Sequence, residues 1–466
     1  MSRLETFIDI MAKRMGFERL SAIKSASSSA RWSGNPGLSH MNIAAGQNPK
    51  AGNRAAQQAV NSPIAASMRR GFTAATVGTG FKAEPLHASE RMRARVGLLW
   101  AETAKELEIS GLDFNTLLST TAGSIFMRGE AIWRRVIVDD TGRYARLKIQ
   151  VIPSSQMPIS ETRQLQGSAF ILHGIEFDAI GRPVAYHILP RAPQHLLPPL
   201  AQKPIRLNAR EIAFAAHRLE PGQTRGLSIL GPALPTINEL EALNENALAK
   251  HRLGSALTVF IRDADGSSIN EQIFEKDAQT GEYVVHPGQA NVLRPGQDVE
   301  IPNGPNTGDY QQVAKTLLRQ ASSAVGLSPY QVDGDLSDAN YSSLRAGRLE
   351  HLRFVEQFQQ SVLINQLCNT VWAWFIDVEI LNGRLPAGQR DELLKVRWIP
   401  PRAESIDPQK DANADEVLLR NRLRSRSELI SERGGSIEQV DQDFGADRYF
   451  ATTQPRAREA SDDSED

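Results

Sequence analysis

The chain has 466 residues, too many for one hydrophobic core, which stops growing near about 250–300 residues, so several packed modules are expected. Hydrophobic residues make up 41% and charged residues 23%, the usage of an ordinary folded globular protein, which excludes a disordered or fibrous class. Its 53 Lys and Arg against 54 Asp and Glu leave a net charge of -1, without the basic excess on which tight non-specific nucleic-acid binding draws.

In chain order, Leu4, Phe7, Ile8, Met11 and Met15 recur at helical spacing among charged residues, unlike the unbroken apolar run of a secretion signal. Residues 21–60 are rich in Ser, Ala, Gly and Asn with few large apolar anchors, and they read as a weakly ordered arm. Ile64, Met68, Phe72 and Val77 predict a helix over 63–77 that stops at Gly78-Thr-Gly80. Further helices are predicted at about 87–109, around Val96, Leu98, Leu99 and Trp100, and after Gly111, where Asp113 can cap the first turn below Leu117, Leu118 and Ile125.

From Ala131 to Pro190 the pattern becomes β, in runs divided by turn signals at 139–143 and 178–183, which predicts a meander or small sheet. A Pro-rich connector at 191–210 leads to one more strand at 211–217 and a turn at 221–226. Leu234, Ile237, Leu240, Leu243, Leu248 and Leu253 then mark a helix over 230–253, with Pro232 tolerable only in its first turn. Residues 256–308 return to short β-type runs among Gly, Pro and Asp, and Val313, Leu317, Leu318, Ala321 and Val325 mark a helix over 311–325.

A polar loop at 333–342 precedes the longest helical run, 343–377, where Leu344, Leu352, Val355, Val362, Leu367, Val371 and Trp374 lie opposite Arg345, Arg348, Arg353 and Gln360, the pattern of a helix supported on one side. A helical region follows at about 408–449, and the end is an acidic tail expected to be disordered. The lone Cys368 sits in an apolar run, as a small buried hydrophobe does. No run of eighteen apolar residues occurs, so no spanning helix is expected.

Chemistry-bearing motifs are missing at sequence level. No phosphate-cradling GxxxxGK[ST] occurs, and Gly78-Thr-Gly80 lacks the third glycine and the strand-to-helix setting of a dinucleotide site. The histidines form no HExxH pair, and one cysteine makes no zinc site. Asp333, Asp335 and Ser337 open like a calcium loop, but its sixth position is Asp338 instead of Gly and its twelfth is Leu344 instead of Glu. Gly226-Leu-Ser228 does not complete a hydrolase elbow, so Ser228 is read as a cap for the helix after it. Neither cofactor nor metal is expected, nor is catalysis.

Several segments, in chain order, resemble the lambda-type family of tailed-bacteriophage portal proteins. Residues 61–80, ending Val77-Gly-Thr-Gly80, are similar to the family's early helix and turn; Met127-Arg-Gly-Glu-Ala131 to its Gly-Glu segment; and 147–153 to the strand after it. The closest likeness is at 173–188, followed by Arg218-Leu-Glu-Pro-Gly-Gln-Thr-Arg-Gly226, the stretch 324–346, and the C-terminal signature at 426–440.

The resemblance implies an α+β, multi-domain portal fold of wing, helical stem, clip and helical crown, in a ring with the family's number of twelve copies, a homododecamer. It divides the chain into an N-terminal helix and arm (1–60), wing (61–228), stem helix (229–254), clip (255–308), second stem helix (309–327), channel loop (328–342), long helix (343–379), crown-like helical region (380–452) and acidic tail (453–466). It further implies a structural ring at the capsid vertex of a virion assembled in the bacterial cytoplasm, conducting double-stranded DNA during packaging and ejection. Partners implied are the chain itself, terminase, capsid and scaffolding proteins, and head-completion or tail-connector proteins, with no membrane. Asp335, Ser337, Asn340 and Tyr341 are the residues expected to face DNA. The rival classes are a nucleic-acid-processing enzyme of a mobile element, which the missing nucleotide and metal motifs disfavour, and a monomeric binding module.

Overall fold

The computed structural model describes residues 41–139, 142, 144–192, 202–255, 260–262, 291–293, 307–337, 341–401, 408–432 and 437–446. They fall into two compact units, Pro232–Pro329 and the remainder, Met1–Gly231 with Tyr330–Asp466.

The larger unit opens with α1 (Met41–Asn61) and α2 (Pro63–Thr76). The arm expected over 21–60 is therefore corrected across its second half, while residues 1–40 lie outside the described set. Alanines supply the helix propensity that the Ser, Gly and Asn content hid, and Ala55 and Ala59 are buried. Small residues also allow close approach, since a Cβ on Gly52 would lie 3.3 Å from the Arg128 Cα. Ser62 caps α2, its Oγ accepting the Ala65 N–H at 3.3 Å, with Pro63 in the first turn, where its missing N–H costs nothing.

Next come β1 (Lys82–Pro85), α3 (Glu90–Ala104) and α4 (Phe114–Arg128). Asp113 caps α4 as expected, accepting the Asn115 and Thr116 N–H groups at 2.9 and 3.0 Å. Those bonds, the Thr116 hydroxyl first among them, hold its carboxyl below the usual carboxylate range.

Strands β2 (Glu130–Val138), β3 (Arg146–Ile152) and β9 (Ile212–Ala216) form one antiparallel sheet in the order β3-β2-β9. Between them, β4 (Arg163–Gln164), β5 (Phe170–Leu172), β6 (Ile175–Phe177), β7 (Pro183–Ile188) and β8 (Ile205–Asn208) make a sequential five-stranded meander. Ile132, Ile152, Met157, Ile175, Tyr186, Ile188, Ile212 and Phe214 form one buried cluster joining the two sheets. Burial lifts the Tyr186 phenol to about 12.

The smaller unit contains α5 (Leu234–Ser255), a short parallel pair of β10 (Phe260–Arg262) with β11 (Asn291–Leu293), and α6 (Thr307–Ala324). Helices α5 and α6 pack together, and the Tyr310 hydroxyl donates to Asn244 Oδ1 at 2.7 Å. Most of the expected β-type module at 256–308 lies outside the described residues, including the run at 282–286.

Back in the larger unit, a short α7 (Tyr330–Asp333) precedes an unbroken helical rod: α8 (Tyr341–Phe358), a π-helical segment (Gln359–Cys368) and α9 (Asn369–Leu381). Val355, Val362, Leu367, Val371 and Trp374 are buried as the stripe requires, and Cys368 is buried too, its thiol pushed up by desolvation. The π segment was not expected. Its wider turns carry Gln359 and Gln366, whose amides are spent on neighbouring backbone: Gln359 Nε2 donates to the Thr76 carbonyl at 2.9 Å, and Gln366 Oε1 accepts the Ala216 N–H at 3.0 Å. Gln366 thereby occupies the open edge of β9, which would otherwise offer unpaired backbone.

After α10 (Arg390–Leu393), β12 (Val396–Ile399) pairs antiparallel with β1, Lys82 opposite Ile399. This corrects the expectation of a purely helical region over 380–452. Trp398 is drawn back into a cluster with Trp100, Phe114 and Trp372, at ring separations of 5.4–6.0 Å, and burial of those rings adds to the β preference of Val396, Trp398 and Ile399. Helices α11 (Pro408–Arg420), α12 (Arg426–Glu432) and α13 (Ile437–Ala446) follow. No described helix is long and apolar enough to cross a membrane.

Candidate functional site

The polar loop begins later and ends sooner than its composition implied. Residues 330–333 are α7, anchored to α2 by the Ser67 hydroxyl donating to the Val332 carbonyl at 2.7 Å. Gly334, at φ +74°, then turns the chain outward, a backbone region open to glycine without a Cβ clash. Asp333 Oδ1 accepts the Asp335 N–H and Asp335 Oδ1 accepts the Ser337 N–H, each at 2.9 Å. These are two successive Asx turns, which satisfy the loop's own backbone.

Asp335 and Ser337 are both exposed, so the loop presents carboxylates and a hydroxyl to solvent while its backbone is held internally. Asn340 and Asp338 lie outside the described residues. Tyr341 is corrected from loop to helix, because α8 starts there. Downstream, Arg345, Arg353 and Gln360 are exposed and Arg348 is half-buried, so the rod's cations begin one turn inside the helix and not in the loop.

A second feature joins two of the segments that carried the family resemblance, and sequence reasoning did not foresee it. Gly129-Glu130 ends α4 and opens β2, whereas Arg225-Gly226 closes the turn after β9. Arg225 Nε donates to Glu130 Oε2 at 2.8 Å, and Nη2 pairs with Oε1, the two side chains being almost wholly buried. The remaining donor, Nη1, serves the Met157 and His173 carbonyls at 3.0 and 2.9 Å, and the Gly226 N–H reaches Glu130 Oε2 at 3.2 Å. A bidentate pair with every further donor engaged meets the condition under which a buried ion pair is tolerated.

The glycines are required by proximity. A Cβ on Gly226 would lie 1.9 Å from the Gly129 carbonyl oxygen, and one on Gly129, at φ +83°, would lie 2.3 Å from the Leu227 carbonyl carbon. Asn48 of α1 bridges the same two segments, its Nδ2 donating to the Arg128 carbonyl at 2.7 Å and its Oδ1 accepting the Ser228 N–H at 3.1 Å. Ser228 in turn accepts the Gly231 N–H at 3.0 Å, as expected of a cap. Burial, with the Arg225 cation beside it, pulls the His173 imidazole below its usual range.

Chemically, the loop is an exposed, carboxylate-bearing surface with no cation between Asp333 and Ser337, and the Glu130–Arg225 pair is scaffold. Among the described residues no cluster of His, Cys, Asp and Glu could hold a metal ion; Asp333 and Asp335 each turn a carboxylate oxygen to backbone N–H groups.

Comparisons with known proteins agree in kind. A family model described as "Phage portal protein, lambda family" matches residues 26–359. A "Probable portal protein" of Halomonas phage phiHAP-1 is 23% identical over 299 residues, covering 63% of this chain and 58% of that protein. The "Portal protein" of Escherichia phage N15 is 22% identical over 250 residues, covering 48% and 47%. The chain thus spans about half the length of these curated relatives. Among solved structures, a chain in the neck of an empty gene transfer agent particle is 15% identical, with TM-score 0.46 over 90% of this chain and 99% of that one. An HK97 family phage portal protein from Corynebacterium diphtheriae is 11% identical, with TM-score 0.30 over 77% and 97%.

Proposed function

The chain belongs to the lambda family of phage portal proteins, and from that premise we propose that it forms a closed ring of identical subunits at one vertex of a phage or prophage capsid. The ring conducts double-stranded DNA inward during packaging and outward at ejection. Terminase docks on it first, head-completion or tail proteins later, and capsid and scaffolding proteins surround it. Its role is structural, not catalytic, and its place is the virion. In the proposed division of the chain, residues 61–228 serve as the wing, the helices around 229–254 and 309–327 as the stem, 255–308 as the clip and 380–452 as the crown.

What carries the reading is the family match over residues 26–359, a span that includes the wing segments, both helices of the smaller unit and the loop. Two features support it. Leu248 and Val313 are 55% and 47% exposed on α5 and α6, apolar surface that a neighbouring copy would cover. The loop offers no cation between Asp333 and Ser337, and a channel for moving DNA must avoid sequence-independent grips on phosphate.

Replacing Asp335 and Asp338 together by Lys tests the loop's place in the channel. Rings should still form, because Asp335 is exposed and a polar loop contributes little packing. Packaged DNA length and particle yield in a complementation assay should fall, since each subunit would add up to two phosphate-attracting cations. Unchanged packaging with intact rings would remove the loop from the channel.

A further inference from the structure

The turn between α11 and α12 holds a concentration of charge that the portal reading does not use. Arg420, Arg422, Arg424 and Arg426 fall within seven residues, with no carboxylate among them, in a chain whose net charge is only -1. Helix α11 ends in a Schellman turn, the Leu423 N–H bonding the Leu418 carbonyl and the Arg422 N–H the Leu419 carbonyl, each at 3.0 Å. The residue at the left-handed position of that turn is Arg422, at φ +56°, where glycine is favoured because it has no Cβ. A non-glycine residue held there points to a role for its side chain beyond folding.

The charge is displayed outward. Arg420 and Arg426 are 77% and 51% exposed, paired to Glu416 at 2.7 Å and Asp441 at 2.6 Å. Arg422 is exposed and Arg424 half-buried. Surface ion pairs of this kind are weak and screened by salt, so they yield to a stronger polyanion. The turn offers one apolar side chain between Arg420 and Arg426, the exposed Leu423.

We propose that the 420–426 turn binds the sugar-phosphate backbone of duplex DNA, without sequence preference, as a basic contact repeated on each subunit. The proposal rests on the portal reading for the identity of the polyanion. Repetition around a ring would add weak contacts into a useful one, while the acidic loop at 333–337 stays free of cations.

The test measures binding of the full-length protein to a fluorescein-labelled random-sequence duplex by anisotropy, at 50 and 200 mM salt. Arg422→Gly with Arg424→Gln removes two cations while placing glycine where the turn favours it, so folding should be kept and thermal denaturation will verify it. Binding should weaken on the order of tenfold at 50 mM salt, and the slope of log K against log salt should drop by about 1.8 for each engaged subunit, at about 0.9 per phosphate contact. Arg91→Gln with Arg95→Gln, on α3, removes the same charge from another exposed surface and should leave affinity and slope within about twofold.

Wild-type affinity in the turn variant, or equal weakening in the α3 variant, overturns the assignment. So does unchanged DNA binding accompanied by loss of incorporation into capsids, which would give the turn to a protein partner. Native mass spectrometry separates the two levels: rings without the DNA effect sink this inference alone, whereas absence of rings in the unsubstituted protein sinks the portal reading with it.

Discussion

Replacing Arg225 with Met should destabilise the larger unit by about 3–5 kcal/mol, because it leaves the Glu130 carboxylate buried without its cation. Glu130→Leu should cost a similar amount by stranding the guanidinium. The double variant tells whether the pair stabilises or merely has to be paired. An apolar replacement of similar volume removes both buried charges together, so it should be more stable than either single variant. Recovery should be incomplete, since the Met157 and His173 carbonyls lose their donor, at about 1–3 kcal/mol for each acceptor left unmet. Chemical denaturation of the four proteins measures this cycle. Additive single costs would show that the two charges do not act as a unit.

The other large effect lies at Trp372. Its ring meets Trp100, Phe375 and Trp398 at centroid distances of 5.2–6.0 Å, and its indole N–H donates to the Leu393 carbonyl at 3.0 Å. Trp372→Ala removes the middle of that cluster and should cost about 3–5 kcal/mol. Trp372→Phe retains ring contact but deprives Leu393 of its donor, so a loss nearer 1 kcal/mol is expected. Because Trp398 lies on β12, the alanine variant should also speed hydrogen exchange at Lys82–Pro85 and Val396–Ile399. Thermal denaturation with exchange at those amides measures both effects, and protection unchanged in the alanine variant would show that the cluster does not hold the β1–β12 pair.

What could be read from the residues alone was what depends on near neighbours. The Asp113 cap, the buried stripe through Val355, Val362 and Val371, and the turn-separated strands of the meander all follow from spacing within a few residues. The π segment was not legible, because ten residues of apolar periodicity look alike whether bonds run to the fourth or fifth residue. Strand β12 was hidden for a different reason: four residues are too few to show alternation, and their partner at Lys82–Pro85 lies far back in the chain. Helix α1 is not legible because its Gly, Asn and Pro49 mask the alanines whose small side chains let it pack.

The candidate site divides along the same line. The exposed, polar character of Asp335 and Ser337 was legible; the Asx bonds that tie them to the backbone, and the start of the helix at Tyr341, were not. Glu130 and Arg225 stood in plain view within two quoted segments, each beside a glycine and of opposite charge. Nothing local pairs them across 95 positions; only the meeting of the α4–β2 junction with the turn after β9 does.

The most direct test of the account is the oligomeric state of the purified full-length protein, by native mass spectrometry with electron microscopy of the same sample. The account predicts closed homo-oligomeric rings, twelve subunits being the number that the family resemblance implies, around a hole wide enough for duplex DNA. A strictly monomeric species at every concentration tested would contradict it.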